Sequence, residues 1–219
     1  MTDGAEVTTQ QSTVEEWTRA LAESVGSPGG GAGAGVMLAI AASLTSMVAG
    51  YSEADGSARD RLDDILTGSR QLREKALRLA DDDAAASSAF GAAFRLEKGE
   101  ERDRAIAEAS VGAARSSADL GRHAVDAIED LSWLAQHGNP ALIADVVVAF
   151  GALRAAVTGA RTNVSFDLAT LRSSGLSLEE VRKQHPGLWA TVGELDEAVE
   201  RIDSATAAVD HRAAPTAGE

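Results

Sequence analysis

One aspartate lies in a part of the sequence where an ionised side chain is not expected. Asp145 has apolar residues on both sides, in the run Ala-Leu-Ile-Ala-Asp-Val-Val-Val-Ala over residues 141–149. Burying a carboxylate there is costly unless the group is paired or hydrogen-bonded. A semi-buried aspartate whose pKa the surroundings can tune is suited to acid–base catalysis. The alternative is a structural carboxylate that accepts hydrogen bonds from a neighbouring helix end or from an arginine.

A second polar residue, Asn163, follows Asp145 by 18 residues. In a helix this spacing is about five turns, so both side chains point the same way, but it also spans about 27 Å. The two residues can serve one small reacting centre only if the ligand is long or a second subunit brings its own copy. Asn163 could alternatively bond across a tight helix pair. Between them, the same face carries a groove of small residues: Ala149, Ala152, Ala156 and Gly159.

The third feature is a glycine-rich turn. Residues 27–31 read Ser-Pro-Gly-Gly-Gly, and an uncharged stretch continues from there to Tyr51. A helix that begins at such a turn offers free backbone N–H groups to a carboxylate or a phosphate. The glycines could instead serve only to let two helices cross closely.

The uncharged stretch from Ala32 to Tyr51 is about as long as a bilayer requires. Glycine, alanine, serine and threonine dominate it, and small residues let neighbouring backbones come close. An all-round apolar helix is either a membrane span or the centre of a protein core. The composition favours the buried core helix, and we expect no membrane association.

The rest of the sequence predicts the helices that must position these residues. No run shows strand alternation, and the near-candidate at 145–150 has helical signals on both sides. We therefore predict an all-α domain, a bundle of long antiparallel helices around the central Ala/Gly-rich helix. Apolar residues at three- and four-residue steps predict helices over about 14–25, 57–96, 100–137, 140–172, 178–185 and 188–210.

Local signals mark several helix ends. Thr13 with Glu16 has the capping-box spacing, in which a hydroxyl and a carboxylate each bond a free N–H. The same spacing recurs at 177–180. Gly138 suits a left-handed helix end, Asn139 an N-cap, and Pro140 the first helical position. We expect residues 1–11 to be a disordered N-terminus, 12–210 a single helical domain, and 211–219 a disordered tail.

Composition excludes several classes of function. The 34 acidic and 20 basic residues give a net charge of -14, which repels phosphate backbones, so we expect no nucleic-acid partner. The absence of cysteine excludes disulfides and thiolate catalysis and fits the cytoplasm, where we place the protein. The N-terminus lacks the basic start and apolar run of a signal peptide. The four histidines show no metal-ligand spacing, so we predict no metal site.

Several motifs occur in the order and spacing of one known family. They are Ser27-Pro-Gly-Gly-Gly31, the small-residue helix ending Ser46-Met-Val-Ala49, Asp83-Ala with Phe90 downstream, Gly138-Asn-Pro140 with Asp145, and Arg161-Thr-Asn-Val164. On these motifs the chain resembles the formiminotransferase-cyclodeaminase C-terminal family. That family contains formimidoyltetrahydrofolate cyclodeaminases and stand-alone methenyltetrahydrofolate cyclohydrolases. The resemblance covers roughly residues 14–170.

The resemblance implies a helical homodimer that binds a tetrahydrofolate derivative as substrate near the subunit interface, with no further cofactor. Because no transferase half is present, it favours hydrolysis of 5,10-methenyltetrahydrofolate to 10-formyltetrahydrofolate over the alternative, cyclodeamination of formimidoyltetrahydrofolate with release of ammonia. Asp145 is then the first catalytic candidate and Asp83 the second. The substrate-binding candidates are Ser27, Gly29, Gly30, Gly31, Asn139 and Asn163.

Each assignment has a structural alternative. Asp83 follows two other aspartates, and such a charge run usually forms a solvated face. Asn139 can be a helix cap. The chain also departs from the family pattern at 52–56, which is acidic rather than basic and aromatic, and at Ala118, Ala144 and Asp167. A different class of function therefore stays open, a non-catalytic helical dimer that binds a ligand or a protein partner.

Overall fold

The computed structural model describes residues 7–24 and 26–214. Within these ranges the chain is helical and contains no strand, which confirms the all-α prediction. Pro140–Leu142 and Leu171–Ser174 form short 3-10 turns at the two ends of the fifth helix. The α-helices are α1 (Val14–Ala22), α2 (Gly30–Gly50), α3 (Ser57–Phe94), α4 (Glu100–His137), α5 (Ile143–Thr170), α6 (Leu178–Gln184) and α7 (Pro186–Ala213).

The predicted caps form at the helix starts. The Thr13 hydroxyl accepts from the Glu16 N–H at 3.2 Å, and the Glu16 carboxylate accepts from the Thr13 N–H at 2.8 Å. The second capping box forms in the same way at the start of α6. The Asn139 side chain accepts from the N–H of Ala141 at 3.0 Å, as an N-cap should.

The left-handed conformation predicted for Gly138 is wrong. Its backbone is extended, with φ -75° and ψ 179°. The glycine is required by space instead, because a Cβ there would lie 2.6 Å from the carbonyl oxygen of Leu134. The backbone after α4 thus leaves no room for a side chain at this position.

Helix α2 is the centre of the bundle and packs against α3 on one side and α5 on the other. Both contacts depend on glycine. A Cβ on Gly35 would lie 2.7 Å from the Cβ and 3.0 Å from the Cα of Ala80 in α3. A Cβ on Gly159 of α5 would lie 2.9 Å from the Cβ of Ala34. The N-terminal half of α2 therefore lies against the C-terminal half of α5, so the two helices are antiparallel.

Helices α4 and α7 complete the core around this pair. Side chains from α4, α5 and α7 pack into the same apolar cluster as those of α2 and α3. The largest fully buried side chains of this cluster include Phe150, Leu131, Leu134, Leu195 and Ile202. The bundle around a central Ala/Gly-rich helix thus forms as predicted.

Two segments of the structure, Gly30–Gly50 and Pro140–Thr170, are long and apolar enough to cross a membrane. The first contains α2 and is enclosed by its neighbours, as a core helix should be. The second contains α5, and only 33% of its most apolar window is buried. Two large apolar side chains of α5, Val148 and Phe166, are exposed among the described residues.

The chain ends are more ordered than predicted over the residues described. Residues 7–11 form a turn in which the Thr9 N–H and the Gln10 side chain donate to the Asp81 carboxylate. At the other end, α7 continues to Ala213, and the guanidinium of Arg212 donates to the carbonyl oxygen of Ala135 at 2.6 Å. The remaining parts of the two predicted disordered segments, 1–6 and 215–219, lie outside the described residues.

The sequence predicts one apolar face for α1, formed by Val14, Trp17, Leu21 and Val25, and this face is only partly buried. Trp17 packs into a small cluster with Ala32 and Ala80, whereas Val14 is 81% exposed and Leu21 is also exposed. Val25, the last member of that face, lies outside the described residues. The helix is therefore attached to the bundle through a single large side chain.

The close crossing of α2 and α3 gives a direct test of the packing. Replacing Gly35 with alanine should lower the free energy of unfolding by about 1–3 kcal/mol, because the new methyl group collides with the Ala80 backbone. Gly68→Ala is the matched control, since a Cβ there meets nothing within 4 Å. That change should raise the free energy by up to about 1 kcal/mol through helix propensity. Urea unfolding followed by circular dichroism measures both, and effects of the same sign would contradict the crossing.

Candidate functional site

A cavity of about 290 Å³ opens at the N-terminal end of α2, where α2, α3, α4 and α5 meet. It lies beside the glycine-rich turn that the sequence singled out. Among the described residues, two of its lining side chains are carboxylic acids, one from α3 and one from α5, and none is basic. The lining residues are Gly26, Gly30, Gly31, Asp83, Ser87, Phe90, Gly91, Ala113, Ser117, Asn163, Phe166 and Asp167.

Asp83 is the buried acid of this cavity. The three consecutive aspartates on α3 point in different directions. Asp81 binds the N-terminal turn, Asp82 is exposed, and Asp83 is only 6% exposed. The alternative that Asp83 belongs to a solvated face is therefore wrong. Helical geometry accounts for the division, because consecutive residues are about 100° apart around the axis.

The surroundings of Asp83 act on its charge in opposite directions. Burial is the larger effect and raises the pKa, while the Ala32 N–H and the hydroxyl groups of Ser87 and Ser117 lower it. The net pKa is raised. Among the described residues, Oδ2 of this carboxyl group is buried and has no hydrogen-bond partner. A buried, unpaired oxygen facing a cavity is a group that a ligand can satisfy.

Gly31 makes this arrangement possible. A Cβ at this position would overlap the carboxyl group of Asp83. Only a glycine at the start of α2 therefore lets the acid from α3 reach the N–H groups of the first turn. The N-cap residue, Gly29, has no side chain, so α2 has no cap of its own and faces the Asp83 carboxyl group instead.

The second acid is Asp167, which the sequence analysis noted only as a departure from the family pattern. It follows Asn163 by four residues on α5, so both side chains reach the same cavity. Burial, and next the negative charge of Asp83, raise the pKa of Asp167 to about 7. Its i+4 spacing from Asn163 was the available sequence signal. That spacing alone does not indicate a site, because the sequence does not show that α3 brings another carboxyl group opposite Asp167.

The structure brings together only part of the predicted site. Asp83, Gly30, Gly31 and Asn163 line the cavity, whereas Gly29 lies at the turn just before it. The Ser27 hydroxyl donates to the carbonyl oxygen of Ala84 at 3.0 Å, so this side chain ties the turn to α3.

The other two predicted residues lie at the opposite end of α2. The Asn139 N–H donates to the Ser52 hydroxyl at 2.8 Å, and its side-chain amide donates to the carbonyl oxygen of Tyr51 at 3.1 Å. Asn139 is thus a cap and a connection between α2 and α5. Asp145 is half-buried in the first turn of α5 and does not line the cavity of Asp83. About 27 Å of helix separates it from Asn163, as its spacing predicts.

No group of three or more potential ligands suited to a metal ion occurs within residues 7–24 and 26–214. The cavity instead presents two carboxyl groups, three polar side chains and free helix N–H groups. Such a set can stabilise a cation, accept a proton and donate one.

Comparisons with known proteins agree with this geometry. Residues 13–184 match the model of the formiminotransferase-cyclodeaminase family. The chain is 29% identical over 202 residues to a methenyltetrahydrofolate cyclohydrolase from Methylorubrum extorquens, covering 85% of this chain and 93% of that protein.

A solved structure shows the same fold. The formiminotetrahydrofolate cyclodeaminase from Thermotoga maritima superposes with a TM-score of 0.75 at 24% identity, over 92% of this chain and 98% of that one. The helix order, the glycine turn at the start of α2 and the match over most of the chain lead to one conclusion. The protein belongs to the formiminotransferase-cyclodeaminase family.

Proposed function

We propose that this protein hydrolyses 5,10-methenyltetrahydrofolate to 10-formyltetrahydrofolate, with Asp83 as the general base. The observation that carries the proposal is the buried, unpaired Oδ2 of Asp83 in a cavity with no basic side chain. The similarity to a named cyclohydrolase over most of both chains supports it. The reaction suits the cytoplasm, in keeping with the sequence-based expectation.

The charge of the substrate matches the charge of the cavity. The methenyl carbon joins N5 and N10 in an amidinium-like group that carries a delocalised positive charge. Asp83 supplies negative charge, and none of the described lining residues is a lysine, arginine or histidine that would oppose it. A cation at this point would satisfy Oδ2 and hold Asp83 ionised. The volume of about 290 Å³ suits the reactive part of the substrate, with the remainder outside.

The hydrolysis needs a base at the bridging carbon. Water forms a bond to that carbon while one of its protons passes to the base. The carboxylate of Asp83 is suited to this step because burial raises its pKa and so makes it a stronger base than an exposed aspartate. Ser87 and Ser117 lie close to the carboxylate and can orient it.

Cyclodeamination is the second candidate. There N10 attacks a formimino carbon and ammonia leaves, so a carboxyl group must protonate the leaving nitrogen. The raised pKa of Asp167, about 7, favours a protonated carboxyl group near neutral pH and is compatible with this reaction. Release of ammonia from formimidoyltetrahydrofolate measures it directly.

Asp83→Asn should lower kcat/KM for methenyltetrahydrofolate at least about 100-fold, because the amide cannot accept the proton of water. The loss of the near-ultraviolet absorbance of the substrate follows the reaction. Asp82→Asn is the matched control, one residue away on the exposed face of α3, and should behave as the wild type. No acceleration over buffer by the wild-type protein would point to the non-catalytic alternative. Equal rates in the wild type and in Asp83→Asn would show that Asp83 is not the general base.

We also infer that the protein acts as a homodimer through α2 and α5. One stripe along α5 is exposed and carries no charge, although the chain as a whole is strongly charged. On the neighbouring helix α2, Met37 and Ile40 are exposed as well. Exposed apolar residues on two neighbouring helices are typical of a subunit interface. The residues of the α5 stripe are Ala144, Val148, Gly151, Ala155, Thr162 and Phe166.

Val148→Glu should convert the dimer into a monomer, because the side chain is 59% exposed within the uncharged stripe and would place a charge in the interface. Val14→Glu on α1 is the control, since that valine is exposed away from the stripe. Sedimentation equilibrium gives the mass of each variant. A wild-type protein with the mass of one chain would contradict the dimer.

A two-fold pairing could also give Asp145 a role. Gly151 and Ala155 lie near the midpoint between Asp145 and Asn163, and their small side chains permit a close helix crossing. In an antiparallel pairing of two α5 helices about that midpoint, the partner's Asp145 comes near Asn163. This arrangement would resolve the separation of about 27 Å within one chain.

Mixing two inactive variants tests the shared site. If both acids serve one site, Asp83→Asn and Asp145→Asn are each impaired as homodimers. Subunit exchange then gives heterodimers with one intact site, and about a quarter of the wild-type activity should return at equal mixing. Wild-type activity in Asp145→Asn alone, or no recovery on mixing, would exclude a contribution across the interface.

A further inference from the structure

We propose that Asp167 is a second catalytic carboxyl group of this site, the acid that protonates N5 when the ring opens. The inference rests on the proposed hydrolysis and adds a residue to it. It concerns one of the positions at which this chain departs from the family pattern noted above.

The geometry of the cavity carries the assignment. Asp83 enters from α3 and Asp167 from α5, and both line the same space of about 290 Å³. The Asp83 side chain is 6% exposed, and its Oδ2 has no partner among the described residues. The two acids are close enough for the charge of Asp83 to act on Asp167. A substrate carbon between them therefore meets one carboxyl group from each helix.

The negative charge of Asp83 favours a proton on Asp167. Burial and the charge of Asp83 raise the pKa of Asp167 to about 7, so it retains a proton where an exposed aspartate has lost it. Within the described residues, the walls formed by α2 and α4 supply no titratable group, since α2 contributes Gly30 and Gly31 and α4 contributes Ala113 and Ser117. On α3, the guanidinium of Arg95 lies beside the lining residue Gly91. Two coupled carboxyl groups of this kind can act as a base and an acid.

The reaction balances with this division. A water oxygen bonds to the bridging carbon, and one water proton passes to the ionised Asp83, which leaves a neutral tetrahedral carbon bearing a hydroxyl group. The bond from this carbon to N5 then breaks, N5 keeps the electron pair, and it takes the proton of Asp167. The hydroxyl proton returns to Asp167 as the formyl C=O forms on N10. Asp83 finally releases its proton to solvent, which is the single proton that the overall hydrolysis produces.

The pH dependence of the rate tests the assignment. In the wild type, kcat/KM should fall as the pH rises through about 7, where Asp167 loses its proton. Asp167→Asn should lower kcat/KM at least about tenfold and abolish this fall, because the amide has no proton to lose. Asp167→Glu should restore part of both the rate and the pH dependence. Asp82→Asn is the control and should retain the wild-type profile.

Two measurements separate this role from structural damage. Carbon-13 NMR of the aspartate carboxyl groups should show one group that titrates near pH 7, absent in Asp167→Asn. In Asp83→Asn that titration should move to lower pH, because the neighbouring negative charge is gone. Folding raises the pKa of Asp167, so proton binding by this side chain stabilises the folded protein at acid pH. This stabilisation is lost as the pH rises through about 7. Asp167→Asn should therefore melt at a higher temperature than the wild type at pH 8, with a smaller difference at pH 5.

The outcomes are distinguishable. An active wild type whose pH profile survives in Asp167→Asn overturns the role of Asp167 and leaves the proposed function intact. A wild type that does not accelerate hydrolysis overturns both. The assignment is supported if the Asp167→Asn protein is folded, is more stable than the wild type, and no longer shows the fall of kcat/KM above pH 7.

Discussion

The approach of the Asp83 carboxyl group to the first turn of α2 is the contact on which the site depends. It requires glycine at position 31, an acid directed inward from α3, and close packing of the two helices at Gly35 and Ala80. The unsatisfied N–H groups of a helix start favour a negative charge, while burial disfavours it. The balance leaves an acid with a raised pKa and an oxygen still free to bind. Packing and chemistry are therefore set by the same few residues.

The fold could be predicted from sequence because its signals are local. Capping boxes, the Asn139 cap and the three- and four-residue periodicity each act within one or two turns, and all were confirmed. The site could be predicted only in part, because it depends on which helices meet. Asp145 drew attention through its apolar neighbours in the sequence, yet those neighbours do not place it in the cavity.

Asp83 and Asp167 show the opposite case, in which residues without a clear sequence signal belong to the site. Asp83 stands in a charged run, and Asp167 lies between Phe166 and Leu168 with no sequence signal for the carboxyl group opposite, so neither was assigned to the cavity. Their raised pKa values come from burial and, for Asp167, from a partner 84 positions away in the chain. Gly138 shows the same limit on a smaller scale, because space set by Leu134, rather than backbone conformation, requires the glycine.

Helix α2 also has consequences for how the protein folds. Five of its 21 residues are glycine, it has no acidic residue in its first turn, and its N-cap has no side chain. Such a segment is a poor helix by itself, because glycine disfavours helix formation and no local cap offsets the cost of nucleation. The groups that face its two ends come from α3 and from the turn before α5. We therefore expect α2 to become helical only when it docks between its neighbours, so that the acidic cavity forms together with the core of the bundle.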